Sequence, residues 1–302
     1  MKNCLDFYPV VKNSGFQMEG YHVWCGSVIR EGDTHYLFAA RWPEETGFPL
    51  GYLTDSEIVL ATTDDLSKPF QFQKVLFGKR EEKYWDSVMA HNPFIFKVDD
   101  LYVLYYIGSP DGGCENRAIG YAWSKSLTDG WTRSDAPIAL PKDANNPAIF
   151  KNDDGSFFLY FRDGHGRVSV ARSSSFRGPF EVENFNLFPS SCCEDMYVYK
   201  DETGYVMIAE DGSGYYTGLE KGGVRFRSAD GIHWDEKSAE PAFDFDLQYD
   251  DGTHMVLQRR ERPFLFWDGD RKYLISTAKI GGPDQIRGGK NWNMIQEIKT
   301  IL

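Results

Sequence analysis

Five times along the chain an apolar run, a tight polar turn and a second apolar run follow one another. The units are CGSVIREGDTHYLF at 25–38, HNPFIFKVDDLYVLY at 91–105, NNPAIFKNDDGSFFLY at 145–160, EDMYVYKDETGYVMI from 194 and ERPFLFWDGDRKYLI from 261. Side chains that alternate on either side of an Asp/Gly turn are the signature of a hairpin. A third apolar run follows each of the first four units: SEIVLATTDD, RAIGYAWSKS, GRVSVARSSS and GGVRFRSADG. A Ser, Thr or Asp cluster then leads to Phe70, Trp131, Phe180 or Trp234, which opens a fourth, more polar strand. A four-stranded meander repeated about every 50 residues has the spacing of propeller blades. The repeat therefore predicts an all-β chain folded as a five-bladed β-propeller, one domain over 1–302 with blades near 20–78, 84–140, 141–189, 190–245 and 255–302. The fifth blade, ending in NWNMIQEI, is one strand short, and the N-terminal CLDFYPVV is expected to supply it, closing the ring and hiding sheet edges. A β-sandwich is the alternative, but a sandwich has no reason to repeat one turn chemistry five times.

Composition agrees with many short strands: aromatic residues make up 16% and Gly numbers 29. The formal charge of −12 leaves no basic stripe to neutralise phosphates, so nucleic acid and anionic membranes are poor partners and a neutral small molecule or sugar is expected. The N-terminal MKNCLDFYPVVKNSG lacks the apolar core of a signal peptide, and no run approaches the roughly 18 apolar residues of a membrane span, so a cytoplasmic location is expected. The five cysteines are odd in number and form no CxxC pair, which argues against a disulfide frame or structural zinc site. Adjacent Cys192 and Cys193 are expected to be reduced thiols beside a pocket.

With the blade pattern, KSLTDGW, RGPF, SADGIHW and the ERP at Glu261–Pro263, nearly the whole chain resembles the five-bladed propeller glycoside hydrolases of families 43, 32 and 117 and their unassigned relatives. In that group the start of each inner strand faces a central funnel that holds the substrate. The family 43 resemblance implies a blade-one Asp as base, a blade-three Asp that orients, and a blade-four Glu as acid. Here those positions fall on Cys25, Asn146 and Glu194. Glu194 is thus the expected general acid, with its pKa raised by apolar Met196 and nearby aromatics. Asp195 stands beside it, and the alternative for both is a solvated strand entrance.

With no Asp at Cys25, the partner carboxylate is sought in Asp86 of KYWDSVMAHNP and in Glu57 of TDSEIVLA. Asp86 on blade two and Glu194 on blade four would face each other across the funnel, and such a separation predicts inversion. Trp24, Trp42 and Trp85 offer faces for sugar stacking; Cys25, His91, Asn92, Asn146, Arg162, Asp195, Glu261 and Arg262 are expected to bind substrate. Arg260 flanks Glu261, and His22, His91 and His254 form no zinc pattern. No metal or cofactor is expected beyond a structural cation that the funnel could hold.

The reading is an exo-acting, inverting glycoside hydrolase removing a terminal sugar from a small oligosaccharide, with oligomeric state open. A glycoside phosphorylase of the family 130 kind, drawing phosphate-binding cations from Arg162, Arg260 and Arg262, is one alternative. A catalytically degenerate sugar-binding propeller is the other.

Overall fold

A computed structural model describes residues 2–284 and 287–302. Five four-stranded antiparallel sheets follow in sequence. Blade one is built from Tyr21–Glu31, Thr34–Pro43, Glu57–Thr63 and Gln71–Phe77; blade two from Met89–Val98, Leu101–Ser109, Ala118–Ser124 and Thr132–Arg133. Blade three comprises Asn145–Lys151, Phe157–Arg162, Val168–Ser173 and Glu181–Asn184, and blade four Cys193–Asp201, Gly204–Asp211, Gly222–Ser228 and Asp235–Phe243. Blade five runs through Arg259–Asp268, Arg271–Ile280 and Lys290–Ile301, and its outermost strand is the N-terminal Leu5–Phe7, with Leu5 opposite Ile301. A two-stranded ribbon, Asp246–Gln248 with His254–Val256, links blades four and five. Helix is confined, among the described residues, to Tyr52–Asp55 and the 3-10 turns Glu44–Thr46 and Cys114–Asn116.

Two-residue turns close the first hairpins of blades one, two and five, where Glu31 faces Thr34, Val98 faces Leu101 and Asp268 faces Arg271. Their first turn residues, Gly32, Asp99 and Gly269, are left-handed, a conformation that Gly and Asp enter at low steric cost. The aromatics that end each repeat pack between blades: Phe180 and Trp234 are buried, and Trp131 meets Phe38 and Phe77 edge-on. Tyr160 spans a blade boundary by donating its hydroxyl to Gly231 O at 2.8 Å.

Closure by the N-terminal strand covers what would otherwise be an open edge of blade five. Leu5 is 2% exposed within a cluster that includes Tyr199, Ile208 and Leu265 of blades four and five. Leu5→Ala is therefore expected to cost about 2–5 kcal/mol of stability, the usual range for emptying a buried leucine site. Denaturant unfolding of the variant checks this, and an unchanged midpoint would show that the first strand is dispensable.

Candidate active site

Each inner strand is broken by a bulge at the same place. The register slips between Trp24 and Ser27, His91 and Phe94, Asn145 and Ala148, Glu194 and Tyr197, and Glu261 and Phe264. The first bulged residue is left-handed every time: Cys25, Asn92, Asn146, Asp195 and Arg262, with φ between 52° and 59°. An extra residue in one strand re-aims its side chain, and here all five turn towards the axis. They join around it. Cys25 Sγ donates to Asn92 Oδ1, Asn92 Nδ2 to Asn146 Oδ1 at 2.7 Å, Asn146 Nδ2 to Asp195 Oδ1 at 2.7 Å, and Arg262 Nη1 to the same Asp195 oxygen at 2.8 Å. A contact between Arg262 and Cys25 closes the ring.

Over this floor lies a cavity of ≈ 240 Å³. The residues just before the bulges, Trp24, His91, Asn145, Glu194 and Glu261, form its next tier. The segment between the second and third strands of blade one adds Phe48, Pro49 and Tyr52, so that side is aromatic: Phe48 stacks on Trp42 at 6.0 Å and Tyr52 on His91 at 4.6 Å. The rest of the lining is charged, with Arg162, Glu194, Lys221, Arg259 and Glu261, and the Arg259 guanidinium lies 5.7 Å from the Phe48 ring. One apolar wall and one hydrogen-bonding wall match the two kinds of surface on a sugar ring.

Electrostatics sort the carboxyl groups. Burial raises Glu194, but Arg162 at 3.5 Å, Lys221 at 3.7 Å and a hydrogen bond from Glu210 outweigh it, holding Glu194 below its ordinary value. The expected upward shift at Glu194 is thus reversed, because cations and not apolar groups surround it. Glu210, directly opposite Glu194 in the hairpin, is pushed well up by burial and by its neighbours Glu261 and Glu194. One of its oxygens accepts from Lys221 Nζ at 2.7 Å, while Oε2 meets no donor. Glu261 is raised to about 7, chiefly by burial, against the pull of Arg259 at 3.0 Å and of Lys221 at 3.9 Å. His91 is held well below its usual value by burial and by Arg262 and Arg117, so its ring is neutral. Cys25 is driven well up by burial and stays a thiol.

The site therefore brings together Trp24, His91, Asn92, Asn146, Arg162, Glu194, Asp195, Glu261 and Arg262 along the cavity, with Cys25 in the floor beneath. Two expected partners lie elsewhere. Asp86 is 0% exposed and packs over Gly108, beneath Arg80 and Arg133, with Tyr106 donating to it at 2.6 Å. Arg133 belongs to the outermost strand of blade two, so Asp86 is a buried ion-pair anchor away from the axis, and the cross-funnel geometry expected with Glu194 is absent. Glu57 opens the third strand of blade one and accepts Arg41 Nε at 2.8 Å, off the cavity. Trp85 stacks on Tyr106 beside Asp86, and Arg260 is buried between Phe7 and Phe243, donating to Gln296 at 2.8 Å. His254 is exposed on the ribbon. Exposed Cys192 reaches the pocket rim, 3.9 Å from Arg162, and both it and Cys193 are free thiols.

Arg117, Lys221, Glu210, Phe48 and Tyr52 escaped the reading of the sequence because none stands at an inner-strand start, and Arg259, which opens the inner strand of blade five, was passed over for the ERP motif two residues on. Pairing does carry a signal: Ile107, Arg162 and Glu210 face His91, Asn145 and Glu194 across the first hairpins, so the end of each second strand also reaches the funnel. Asp195, Glu210 and Glu261 present oxygens within 4.8 Å of one another, a donor set fit for a cation. Lys221 and Arg262 already bring positive charge to these carboxyl groups.

The five-bladed propeller is the fold of solved glycoside hydrolases of families 43 and 117, and this chain has that fold. No protein-family model matches it, and no curated protein matches it in sequence. Among solved structures it is similar to a family 117 glycoside hydrolase from Zobellia galactanivorans (TM-score 0.72, 14% identity, covering 100% of this chain and 93% of that one). It is likewise similar to a glycoside hydrolase (0.71, 15%, 97% and 92%) and to an exo-1,5-alpha-L-arabinanase from a bovine ruminal metagenomic library (0.66, 12%, 91% and 92%).

The raised Glu261 has a consequence for stability. Unfolded, it releases its proton near the model-peptide value of about 4.3; folded, it holds it to about 7. Between those values the folded state binds more protons, so this group's contribution to stability falls as pH rises. The difference in unfolding free energy between wild type and Glu261→Gln should therefore shift in the variant's favour from pH 4.5 to 8, and parallel stability curves would place the Glu261 pKa at its ordinary value.

Proposed function

We propose that the chain is an exo-acting glycoside hydrolase whose paired carboxyl groups are Glu194 and Glu261. The observation that carries this reading is their placement: both stand just before the bulge, on adjacent blades, and line one cavity beside an aromatic wall. Lys221 Nζ lies 3.7 Å from Glu194 Oε1 and 3.9 Å from Glu261 Oε1, which puts those oxygens within about 7.6 Å of each other. That limit is compatible with glycosidase carboxylate pairs. A cavity of ≈ 240 Å³, below the roughly 300–1,000 Å³ of most ligand pockets, suits one terminal sugar better than the middle of a polymer.

Environment divides the roles. Glu261, raised to about 7, is the general acid that gives its proton to the leaving oxygen. Glu194, held low by Arg162 and Lys221, is the carboxylate that takes a proton from water as it attacks the anomeric carbon. This exchanges the roles that the resemblance implied for Glu194, since Cys25 stands at the base position as a thiol. With Glu194 activating water and Glu261 protonating the leaving group, the displacement is a single step and the reading is inversion.

Glu194→Gln and Glu261→Gln are each expected to lower turnover of a cleavable oligosaccharide by about a hundredfold or more. With an activated aryl leaving group the loss at Glu261 should shrink while that at Glu194 persists. The rate should decline as pH rises through about 7, where Glu261 loses its proton, and NMR of the first-formed product should show the opposite anomer. A product that keeps the substrate's configuration would exclude inversion, and full activity in both variants would exclude the pair. Asp86→Asn, by contrast, should weaken the fold by about 3–5 kcal/mol through stranding buried Arg80 and Arg133, yet leave turnover per folded molecule intact. Loss of turnover without loss of stability would return Asp86 to the catalytic set.

A further inference from the structure

The whole chain is acidic, but its cavity is not. Arg117, Arg162, Lys221, Arg259 and Arg262 line it against Glu194, Asp195 and Glu261. Three of these cations have a dedicated carboxylate partner: Arg117 grips Asp143 with two hydrogen bonds of 2.7 and 2.9 Å, Arg262 holds Asp195 at 2.8 Å, and Lys221 holds Glu210 at 2.7 Å. Arg162 and Arg259 do not. Among the described residues Arg162 hydrogen-bonds to no oxygen: its Nη1 stands 3.5 Å from Glu194, its Nη2 touches only the Cys192 sulfur at 3.9 Å, and its Nε is buried without a partner. Arg259 lies 3.0 Å from Glu261 Oε1, yet that oxygen accepts no hydrogen bond, and Arg259 Nε is also unpartnered.

A guanidinium carries five N–H donors, and buried donors are almost always satisfied. Two arginines in one cavity without a hydrogen bond to oxygen therefore leave donor groups for a ligand. Among the described residues the carboxyl groups within 4.0 Å of them are Glu194, beside Arg162, and Glu261, beside Arg259, the pair to which hydrolysis assigns one proton. A positive charge thus remains when the acid is protonated.

We propose that the terminal sugar carries a carboxylate, as a uronosyl residue does, and that Arg162 and Arg259 receive it. The inference rests on the glycoside hydrolase reading and narrows its substrate from the neutral sugar that the net charge suggested. A planar carboxylate matches the forked donors of a guanidinium, whereas a hydroxyl uses one donor and leaves the charge unmet. Arg162, at the end of the second strand of blade three, and Arg259, at the start of the inner strand of blade five, flank Glu194 of blade four. The acidic group is therefore held beside the reacting carboxyl groups, with Arg259 also lying 5.7 Å from the Phe48 ring of the aromatic wall.

The test is titration calorimetry of the full-length protein with D-glucuronate, D-galacturonate and L-iduronate, each compared with its methyl ester, and with inorganic phosphate alone. At least one acid is expected to bind about tenfold or more tightly than its ester, the loss of one charge-assisted hydrogen bond being worth that much. Arg162→Gln and Arg259→Gln should each weaken the acid by about tenfold and leave the ester unchanged. Equal binding of acids and esters across the panel would overturn the proposal. So would phosphate binding that both substitutions abolish while no acid is preferred, since the oxyanion would then be phosphate. If either variant fails to fold, the comparison of acid with ester on the wild-type protein decides. Acid preference without turnover of any glycoside would sustain this inference and sink the hydrolase reading, and turnover of neutral glycosides without acid preference would do the reverse.

Discussion

Five strands begin around one axis, and each must place a polar side chain there without leaving it unpaired. The bulge at every inner-strand start meets that constraint by turning one residue inward, at the cost of a left-handed backbone. Asn92, Asn146 and Asp195 tolerate that conformation comparatively well, whereas at Cys25 and Arg262 it is held by the surrounding contacts. The hydrogen bonds running from Cys25 through Asn92 and Asn146 to Asp195, together with Arg262, tie the five blades at their narrowest point. Glu194 and Glu261 sit one residue before the bulge. Because the bulge also fixes the direction of the residue before it, Trp24, His91, Asn145, Glu194 and Glu261 face one cavity.

The same ring explains how the site can hold several carboxyl groups close together. Asp195 is paired with Arg262 in the floor and Glu210 with Lys221, so Glu194 and Glu261 are left to differ through their own neighbours. Cations draw Glu194 down, while burial next to other carboxyl groups lifts Glu261. Two carboxyl groups at equivalent positions of neighbouring blades thus acquire different protonation, which is what acid and base chemistry at one pH demands. The thiol at Cys25 fits this arrangement as a neutral donor in the floor, where a carboxylate would have added a further buried charge.

The sequence by itself determined the architecture and the inward-facing starts. Hairpin periodicity, turn residues and the recurring aromatic are local properties, so five repeats were legible, and so were Trp24, His91, Asn92, Asn146, Glu194, Asp195, Glu261 and Arg262, each tied to a repeat. Only the tertiary structure decided what surrounds them. Asp86 follows an aromatic and precedes an inner strand, as a funnel residue could, yet Arg80 and Arg133 draw it into the body of blade two. Lys221 and Arg117 reach the cavity from segments whose own local pattern marks nothing. Lys221, with Arg162, reverses the shift expected at Glu194, and the five cations together outnumber the acidic groups of the cavity lining. The physical reason is that strand pattern depends on neighbours in sequence, whereas protonation and pocket charge depend on groups brought within a few ångströms from different blades, and no period along the chain records those distances.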